Sequence, residues 1–580
     1  MAKFISALDS VSTPFQIGEN GTQEYGWSNN IRERIVQINF QLIRKTITTN
    51  SINKSSHELE KTFDNNELFS NIERTLMDLQ CTPLPREEYV EYMSIFYRMI
   101  GFTRDIIDGK GEYALSYKLL DIWSKINPEL ANFALRQFVL SPTDGHPYGS
   151  WKDIKYLRDY CESDNLLQYG SQLLIEQLRK DSVSDTPSLA AKWVPRENSK
   201  HGKLFNELAT EYFVEYIVTS KTDNSRRKAI IKAKMDFRKL ISSLNKKLDT
   251  VQIKQCANKW AEIDPANQTS ITMHKQKYAF LNMYKNGIQR SELEDRITCA
   301  ENFSEYIRKA AAGEVSVKGK RIGLNDFVKE ALSLQFKKNS DEAKLLNAQW
   351  IDNSTQTGKL GKMVAMVDVS ASMYGEPMNA AIALGIRVAE NSLLGKRVLT
   401  FSASPTWINL DSTNNFIDMV ETISKANAGM NTKFEAALKL ILDAIISQKL
   451  APEDVEDMVL AIFSDMQVDQ ADSSSKHLMV TIEKKYADAG RRLWNKPFKT
   501  PHILFWNLRS TSGFPTLSTQ KNCSMMSGFS PALLNTFCEE GLDSLHSCTP
   551  WSLMIKNLDN DRYNILDQFI RENMPEQIRL

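Results

Sequence analysis

The sequence is poor in cysteine and histidine, with seven of each among 580 residues. No two cysteines form a CxxC pair and their number is odd, so neither a zinc ribbon nor a disulfide framework is indicated. The histidines are equally dispersed and no HExxH motif occurs, which argues against a zinc site. Scattered cysteines without obvious partners are typical of a reducing compartment, so we expect an intracellular, cytoplasmic protein.

Long apolar runs and an excess of one charge are also absent. No stretch approaches eighteen uninterrupted apolar residues, and the opening MAKFISALDSVSTPF lacks the pattern of a secretory signal. Seventy-two basic residues against seventy-one acidic ones leave a formal charge of +1. The charge of the whole molecule therefore gives no reason to expect nucleic acid or membrane as a partner. We expect no membrane partner, and a nucleic-acid site would have to be local.

The length predicts more than one domain, and the composition changes along the chain. Residues 1–60 are rich in Ser, Thr, Asn and Gly, which favours loops or a loosely packed arm. From 61 to 349 the apolar residues recur at spacings of three and four, as in YVEYMSIFYRMIGFTRDII, and this predicts consecutive amphipathic helices. Short polar breaks without heptads favour paired helices stacked as a curved, HEAT-like repeat array.

Residues 350–580 have a different pattern, in which short apolar runs alternate with helical stretches. The runs GKMVAMVDV, KRVLTFS, MVLAIFS and HILFWNL predict buried strands, and KFEAALKLILDAIIS predicts one of the intervening helices. Such alternation predicts an α/β domain with a doubly wound parallel sheet. TWINL is a candidate antiparallel edge strand, and NCSMMSG is a candidate last strand.

Oxygen-bearing side chains follow three of the predicted strand positions. The loop after MVAMV contains Asp368, Ser370 and Ser372, the loop AGMNTKF contains Thr432, and Asp465 directly follows MVLAIFS. In an open parallel sheet, ligands bind outside the carboxyl ends of the strands, where the strand order reverses. Hard oxygen ligands suit magnesium or calcium rather than a soft metal. Read alone, DxSxS could be a helix-entry loop with capping side chains, but the order of Thr432 and Asp465 favours a metal site.

The order DxSxS, Thr, Asp resembles the metal-ion-dependent adhesion site of von Willebrand A domains. That resemblance implies a Rossmann-like fold and a divalent cation, Mg²⁺ or in its place Mn²⁺ or Ca²⁺. It also implies that Ser370, Ser372 and Thr432 contact the cation directly, while Asp368 and Asp465 balance charge and orient the ligands. One position would remain for an Asp or Glu of a protein partner.

Seven further segments resemble an uncharacterised family of plants, fungi and large DNA viruses that joins a helical region to a C-terminal A domain. They are TRDIIDGKGEYALSY, YGSWKDIKYL, LAAKWVPREN, GKLGKMVAMVDVSASM, AGMNTKF, FSDMQVDQA and ILFWNLRSTSGFPT. The order of parts is similar in turn to the Ro autoantigen and its TROVE relatives. That similarity implies a ring of helical repeats that binds structured, misfolded or small noncoding RNA.

A local basic cluster could contact such RNA. Between Lys221 and Lys247 there are ten basic and two acidic residues, a local charge of +8. The candidate contacts are Arg226, Arg227, Lys228, Lys232, Lys234, Arg238 and Lys239, with Lys192, Trp193 and Arg196 from LAAKWVPREN. The alternative interpretation is a solvated helix face balanced by acidic neighbours, with Trp193 in the core.

These patterns favour a non-enzymatic binding or scaffold protein without a small-molecule substrate. An alternative is a magnesium-dependent phosphoryl-transfer enzyme with Asp368 as nucleophile, but such enzymes need a second carboxylate close behind, where this chain has Ser370 and Ser372. GKGE at 109–112 has no preceding strand and is interpreted as a turn between helices. A third possibility is a structural protein packaged in a virus particle.

Overall fold

The computed structural model describes residues 13–18, 23–44, 66–141, 145–401, 405–425, 434–455, 457–466, 475–538 and 542–577. A short antiparallel hairpin comes first, formed by β1 (Phe15–Ile17) and β2 (Gln23–Tyr25). The expected helical region followed by a mixed sheet of mostly parallel strands is confirmed. Among the described residues, no helix combines the length and apolar character needed to cross a membrane.

Helices make up the first part of the molecule. They are α1 (Ile31–Gln41), α2 (Asn66–Cys81), α3 (Arg86–Arg104), α4 (Tyr113–Ile126), α5 (Pro128–Val139), α6 (Lys152–Tyr156), α7 (Asp164–Val183), α8 (Ala190–Trp193), α9 (Gly202–Tyr212), α10 (Val214–Val218), α11 (Asp223–Lys247), α12 (Val251–Cys256), α13 (Ser270–Phe280), α14 (Glu294–Ala311), α15 (Leu324–Leu334) and α16 (Asp341–Ser354). Local caps define several starts: Asn127 caps α5 ahead of a proline, and Thr222 forms a capping box with Ser225 at α11. Apolar side chains of most of these helices pack into one core that continues into the second part of the molecule, and those of α12, α13 and α14 form a second, smaller core.

A six-stranded sheet forms the second part. Its strands are β3 (Met363–Asp368), β4 (Arg397–Phe401), β5 (Thr406–Asn409), β6 (Val459–Ser464), β7 (His502–Asn507) and β8 (Cys523–Ser527), arranged in the order β5-β4-β3-β6-β7-β8. All pairs are parallel except β4 with β5, so TWINL is the antiparallel edge strand and NCSMMSG contains the last strand. Every residue of β3, β6 and β7 is buried, because packing covers both faces of the sheet.

The helices of this part connect or follow the strands. They are α17 (Glu376–Asn391), α18 (Phe416–Ser424), α19 (Phe434–Ser447), α20 (Pro452–Val455), α21 (Ser475–Trp494), α22 (Leu542–Ser547), α23 (Pro550–Leu558) and α24 (Asn564–Glu572). The last of these helices, α24, packs against α3 and α5 of the first part. The rings of Phe569 in α24 and Phe133 in α5 stack with centroids 3.6 Å apart, and Arg562 forms two hydrogen bonds, of 2.6 and 2.8 Å, to Asp105 just after α3.

One element departs from the composition-based expectation for residues 1–60. Loops or a loose arm were expected there, but α1 is buried on nearly all sides. Several of its polar side chains have partners inside the protein: Glu33 accepts hydrogen bonds from Ser518, and the Gln41 side chain donates to the carbonyl oxygen of Thr511 at 2.7 Å. A polar composition therefore does not imply exposure where polar side chains find partners within the fold.

Candidate metal centre

The centre of the sheet contains a point where the strand order reverses. From β3 the chain adds β4 and β5 on one side and then crosses to place β6, β7 and β8 on the other. Asp368 ends β3 and Asp465 directly follows β6, the parallel neighbour of β3. The two aspartates therefore lie at the position where open α/β sheets bind ligands.

The loop after β3 is held together by the carboxylate of Asp368. One carboxylate oxygen accepts a hydrogen bond from the backbone N–H of Ser370 at 2.9 Å, and the other accepts one from the hydroxyl of Ser464 at 2.6 Å. A short 3-10 turn, Ala371–Met373, follows, and the buried side chain of Met373 closes the loop before α17 begins. Asp368 thus fixes the direction in which the following serines point.

The hydroxyl oxygens of Ser370 and Ser372 are 3.1 Å apart. Two neighbouring ligands of an octahedral magnesium ion, each roughly 2.1 Å from it, are separated by about 3 Å. Ser370 is buried and Ser372 is half-buried, so the pair lies at the edge of the interior. The spacing and the chemistry of these two donors fit a small, hard divalent cation.

Charge at this point also favours a cation. Asp368 is fully buried, and within the described part of the chain it forms no ion pair. Burial, together with the nearby negative charge of Asp465, raises the pKa of Asp368 to about 7, although hydrogen bonds from Ser464 and Ser370 act in the opposite direction. A bound divalent cation would lower the free energy of the charged carboxylate.

Asp465 has a cationic partner that was not anticipated from the sequence. The guanidinium of Arg509, two residues beyond β7, lies 3.0 Å from the carboxylate of Asp465, and the hydroxyl of Thr511 donates to the Asp465 backbone carbonyl at 2.9 Å. Ser464, the hydrogen-bond donor to Asp368, was also missed. The available signal was positional, since Ser464 directly precedes Asp465 at the end of β6 and Arg509 follows the neighbouring strand β7.

Thr432 lies outside the described residues. In the part of the chain that the structure describes, no three His, Cys, Asp or Glu side chains converge as a metal cluster. A cation here would therefore depend on the hydroxyls of Ser370 and Ser372 as well as on Asp368 and Asp465. These are four of the five residues that the sequence predicts for the site, and Thr432 is the fifth.

The candidate nucleic-acid residues lie mostly on α11. Its packed face contains Ala233, Phe237 and Leu244. The exposed basic side chains are Arg226, Arg227, Lys228, Lys232, Arg238 and Lys239, and Lys234 is half-buried. Neighbouring acids neutralise some of them, since Lys234 and Arg238 both pair with Glu197 and Lys239 pairs with Asp236 at 3.6 Å.

The remaining three candidates come from α8 and the segment after it. Trp193 is half-buried and packs against the core, with the ammonium of Lys155 5.3 Å from its ring centre. Burial lowers the pKa of Lys192, whereas Arg196 is exposed. The side chain of Asn245 on α11 donates to the carbonyl oxygen of Ala191 at 3.2 Å, so α8 lies beside the basic helix.

The protein thus combines a helical part with a mostly parallel sheet, and Asp368 and Asp465 lie where the strand order of that sheet reverses. Residues 362–563 match a family model described as a domain of unknown function, DUF7788, and residues 164–362 match another, DUF2828. The chain is 27% identical over 469 residues to uncharacterized protein L728 of Acanthamoeba polyphaga mimivirus, covering 76% of this chain and 75% of the viral protein. It is thus similar to an uncharacterised group of proteins that includes one from a large DNA virus.

Proposed function

We propose that the protein is a non-enzymatic binding protein whose sheet is a von Willebrand A-type domain with a metal-dependent adhesion site. In this proposal the hydroxyls of Ser370 and Ser372 hold a divalent cation, Mg²⁺ by preference, and a carboxylate of a protein partner completes the coordination. The observation that carries it is the 3.1 Å separation of the two hydroxyl oxygens beside the buried carboxylate of Asp368.

The neighbouring residues have distinct roles in this proposal. Asp368 orients the loop through the Ser370 N–H and supplies negative charge, and Ser464 keeps that carboxylate in place. Asp465 adds a second negative charge at the end of the adjacent strand β6, and the guanidinium of Arg509 partly neutralises it. When bound, the cation would supply an attraction for anionic ligands. Both oxygens of Asp368 are engaged in hydrogen bonds within a buried loop, which favours a supporting role over nucleophilic attack.

Manganese titration tests this site directly. EDTA-treated protein is titrated with Mn²⁺ while free Mn²⁺ is followed by electron paramagnetic resonance; we expect one saturable site that Mg²⁺ displaces. Acetate should then reduce the water-proton relaxation caused by the bound ion, because a carboxylate replaces a coordinated water. Ser370→Ala should weaken Mn²⁺ binding at least tenfold, and the exposed Ser447→Ala should not. Equal binding by both variants would refute the proposal.

RNA binding is a second candidate function, supported by the lysine stripe of α11. We define this stripe as Lys228, Lys232, Lys239 and Lys246, whose spacings of four, seven and seven residues put them on one helix face. All four are exposed, on the side opposite Ala233, Phe237 and Leu244. A row of ammonium groups on a solvent-facing helix could follow a phosphate backbone.

A salt series tests the stripe. We expect a labelled pool of structured RNA to bind with an affinity that falls steeply as salt rises, and the stripe variant with all four lysines changed to alanine should lose most of that slope. The matched control replaces four exposed lysines of the sheet domain, Lys359, Lys484, Lys496 and Lys521, with alanine. No binding by the wild type, or equal loss in both variants, would exclude this candidate.

A further inference from the structure

A cleft between α13 and α15 shares no lining residue with the candidate metal centre or with the lysine stripe. Its volume is about 530 Å³, and it lies beside a small separate core built around Met273 and Phe280 of α13. The other side of α15 faces α17, where the Asn379 side chain donates to the Asn325 side chain at 2.8 Å. Helices therefore form the two walls of the cleft.

Lysines dominate the charge of this cleft. Five lysines line it (Lys275, Lys277, Lys285, Lys329 and Lys337), against three acidic residues (Asp326, Glu330 and Glu342). Lys275, Lys285, Lys329 and Lys337 are exposed and have no ion-pair partner among the described residues. Like charges gathered in a concave site repel one another and concentrate anions there.

The floor of the cleft contains a buried charged group. Lys277 is more than nine-tenths buried and pairs with Glu330. The ring Nδ1 of His274 is 3.3 Å from the same carboxylate, but it makes no hydrogen bond within the described structure although the atom is buried. Glu330 is thus paired with Lys277 at the floor of the cleft, so it does not neutralise the lysines of the walls.

We propose that this cleft binds a small phosphate-bearing anion. The ammonium groups of Lys275, Lys329 and Lys337 would donate to the phosphate oxygens, since lysine acts on phosphate as a compact point charge. The half-buried ring of Tyr278, which also lines the cleft, offers a face for a nucleobase. Polyphosphates and nucleotides share the phosphate chemistry and differ in their use of that ring.

Calorimetric titration in EDTA tests this cleft independently of the metal site. Tripolyphosphate and ATP are the probes, and we expect saturable binding of at least one of them. Lys275→Ala combined with Lys329→Ala should weaken it at least tenfold, whereas Lys359→Ala combined with Lys521→Ala should leave it unchanged. Both pairs are exposed, so equal thermal midpoints should confirm that each variant is folded.

Comparison of the probes identifies the ligand source. Tighter binding of ATP than of tripolyphosphate, reduced by Tyr278→Ala, would support a nucleotide; equal binding of both would support a polyphosphate group alone. The proposal is overturned if neither probe binds at millimolar concentration, or if the control pair loses as much affinity as the cleft pair. Binding of a 5′-phosphorylated oligonucleotide without binding of either small probe would overturn it as well.

Discussion

At the scale of single residues, Asp368 combines full burial, two hydrogen bonds and a like charge nearby. A carboxylate that only caps a loop would be stabilised by these two hydrogen bonds, and it would not need to carry a negative charge. A carboxylate that binds a cation must carry a negative charge, and that buried charge is unfavourable until the cation binds. The two roles therefore predict different changes in the stability of the protein when the side chain of Asp368 is made neutral.

Asp368→Asn separates these roles. Asparagine can still accept the hydrogen bond from the Ser370 N–H, its NH₂ group can donate to the Ser464 hydroxyl oxygen, and it removes the repulsion with Asp465. In EDTA we therefore expect the variant to be at least as stable as the wild type. Mg²⁺ should stabilise the wild type, by about 2.7 kcal/mol at a hundredfold excess over its dissociation constant, and should not stabilise the variant.

Thermal unfolding with and without Mg²⁺ measures this difference. Asp411→Asn, in which an exposed carboxylate paired with Arg397 is neutralised, is the matched control and should respond to Mg²⁺ as the wild type does. A large loss of stability by Asp368→Asn in EDTA, or a normal Mg²⁺ response, would mean that the side chain serves only to cap the loop.

At the scale of elements, the strands were predictable and α1 was not. Fully buried parallel strands appear in the sequence as apolar runs, and GKMVAMVDV and HILFWNL therefore indicated β3 and β7. MVLAIFS likewise indicated β6, and the structure places Asp368 and Asp465 at the ends of the neighbouring strands β3 and β6. The buried side chains of Glu33, Arg34 and Gln41 in α1 have partners that are distant in sequence, so composition alone could not reveal its burial.

Glu33 is expected to stabilise the attachment of α1 to the sheet domain. Its carboxylate accepts hydrogen bonds from the backbone N–H and the hydroxyl of Ser518. Glu33→Ala leaves these buried donors without that acceptor, and should lower the free energy of unfolding by about 1–3 kcal/mol. Urea unfolding measures the loss, with the exposed Glu87→Ala as control. In a double-mutant cycle with Ser518→Ala, the absence of coupling would contradict this role.

At the scale of the whole molecule, Lys110 joins segments that are far apart in sequence. It belongs to GKGE, which lies between α3 and α4 as expected for a turn, but its ammonium is buried. It donates to the carbonyl oxygens of Asn39 and Leu42 at the end of α1 and to the hydroxyl of Ser527 in β8 at 2.8 Å. The turn was predictable from local sequence, whereas this burial depends on the packing of α1 against the sheet.

Lys110 should make stability depend on pH. Burial lowers its pKa to about 7, whereas the unfolded side chain titrates near 10.5. Between these values the unfolded chain holds more protons, so this group makes the free energy of unfolding rise with pH, by up to about 1.4 kcal/mol per unit. Below pH 7 both states are protonated and this dependence ends.

Urea unfolding at several pH values between 7 and 10 tests this prediction. We expect the stability of the wild type to rise relative to that of Lys110→Met over this range, while Lys359→Met, an exposed control, follows the wild type. A constant difference between wild type and Lys110→Met would show that Lys110 does not titrate in this window.

Because α24 packs against α3, the packing of α3 cannot be completed until α24 has been synthesised. The hydroxyl of Tyr89 in α3 donates to the carbonyl oxygen of Pro575 at 2.9 Å, and Arg98 of α3 pairs with Asp559. Arg104, the end of α3, precedes Glu572, the end of α24, by 468 positions. At typical rates of synthesis that distance takes roughly 20–90 s. During that time the apolar surface of α3 that α24 later covers is open to chaperones and to aggregation.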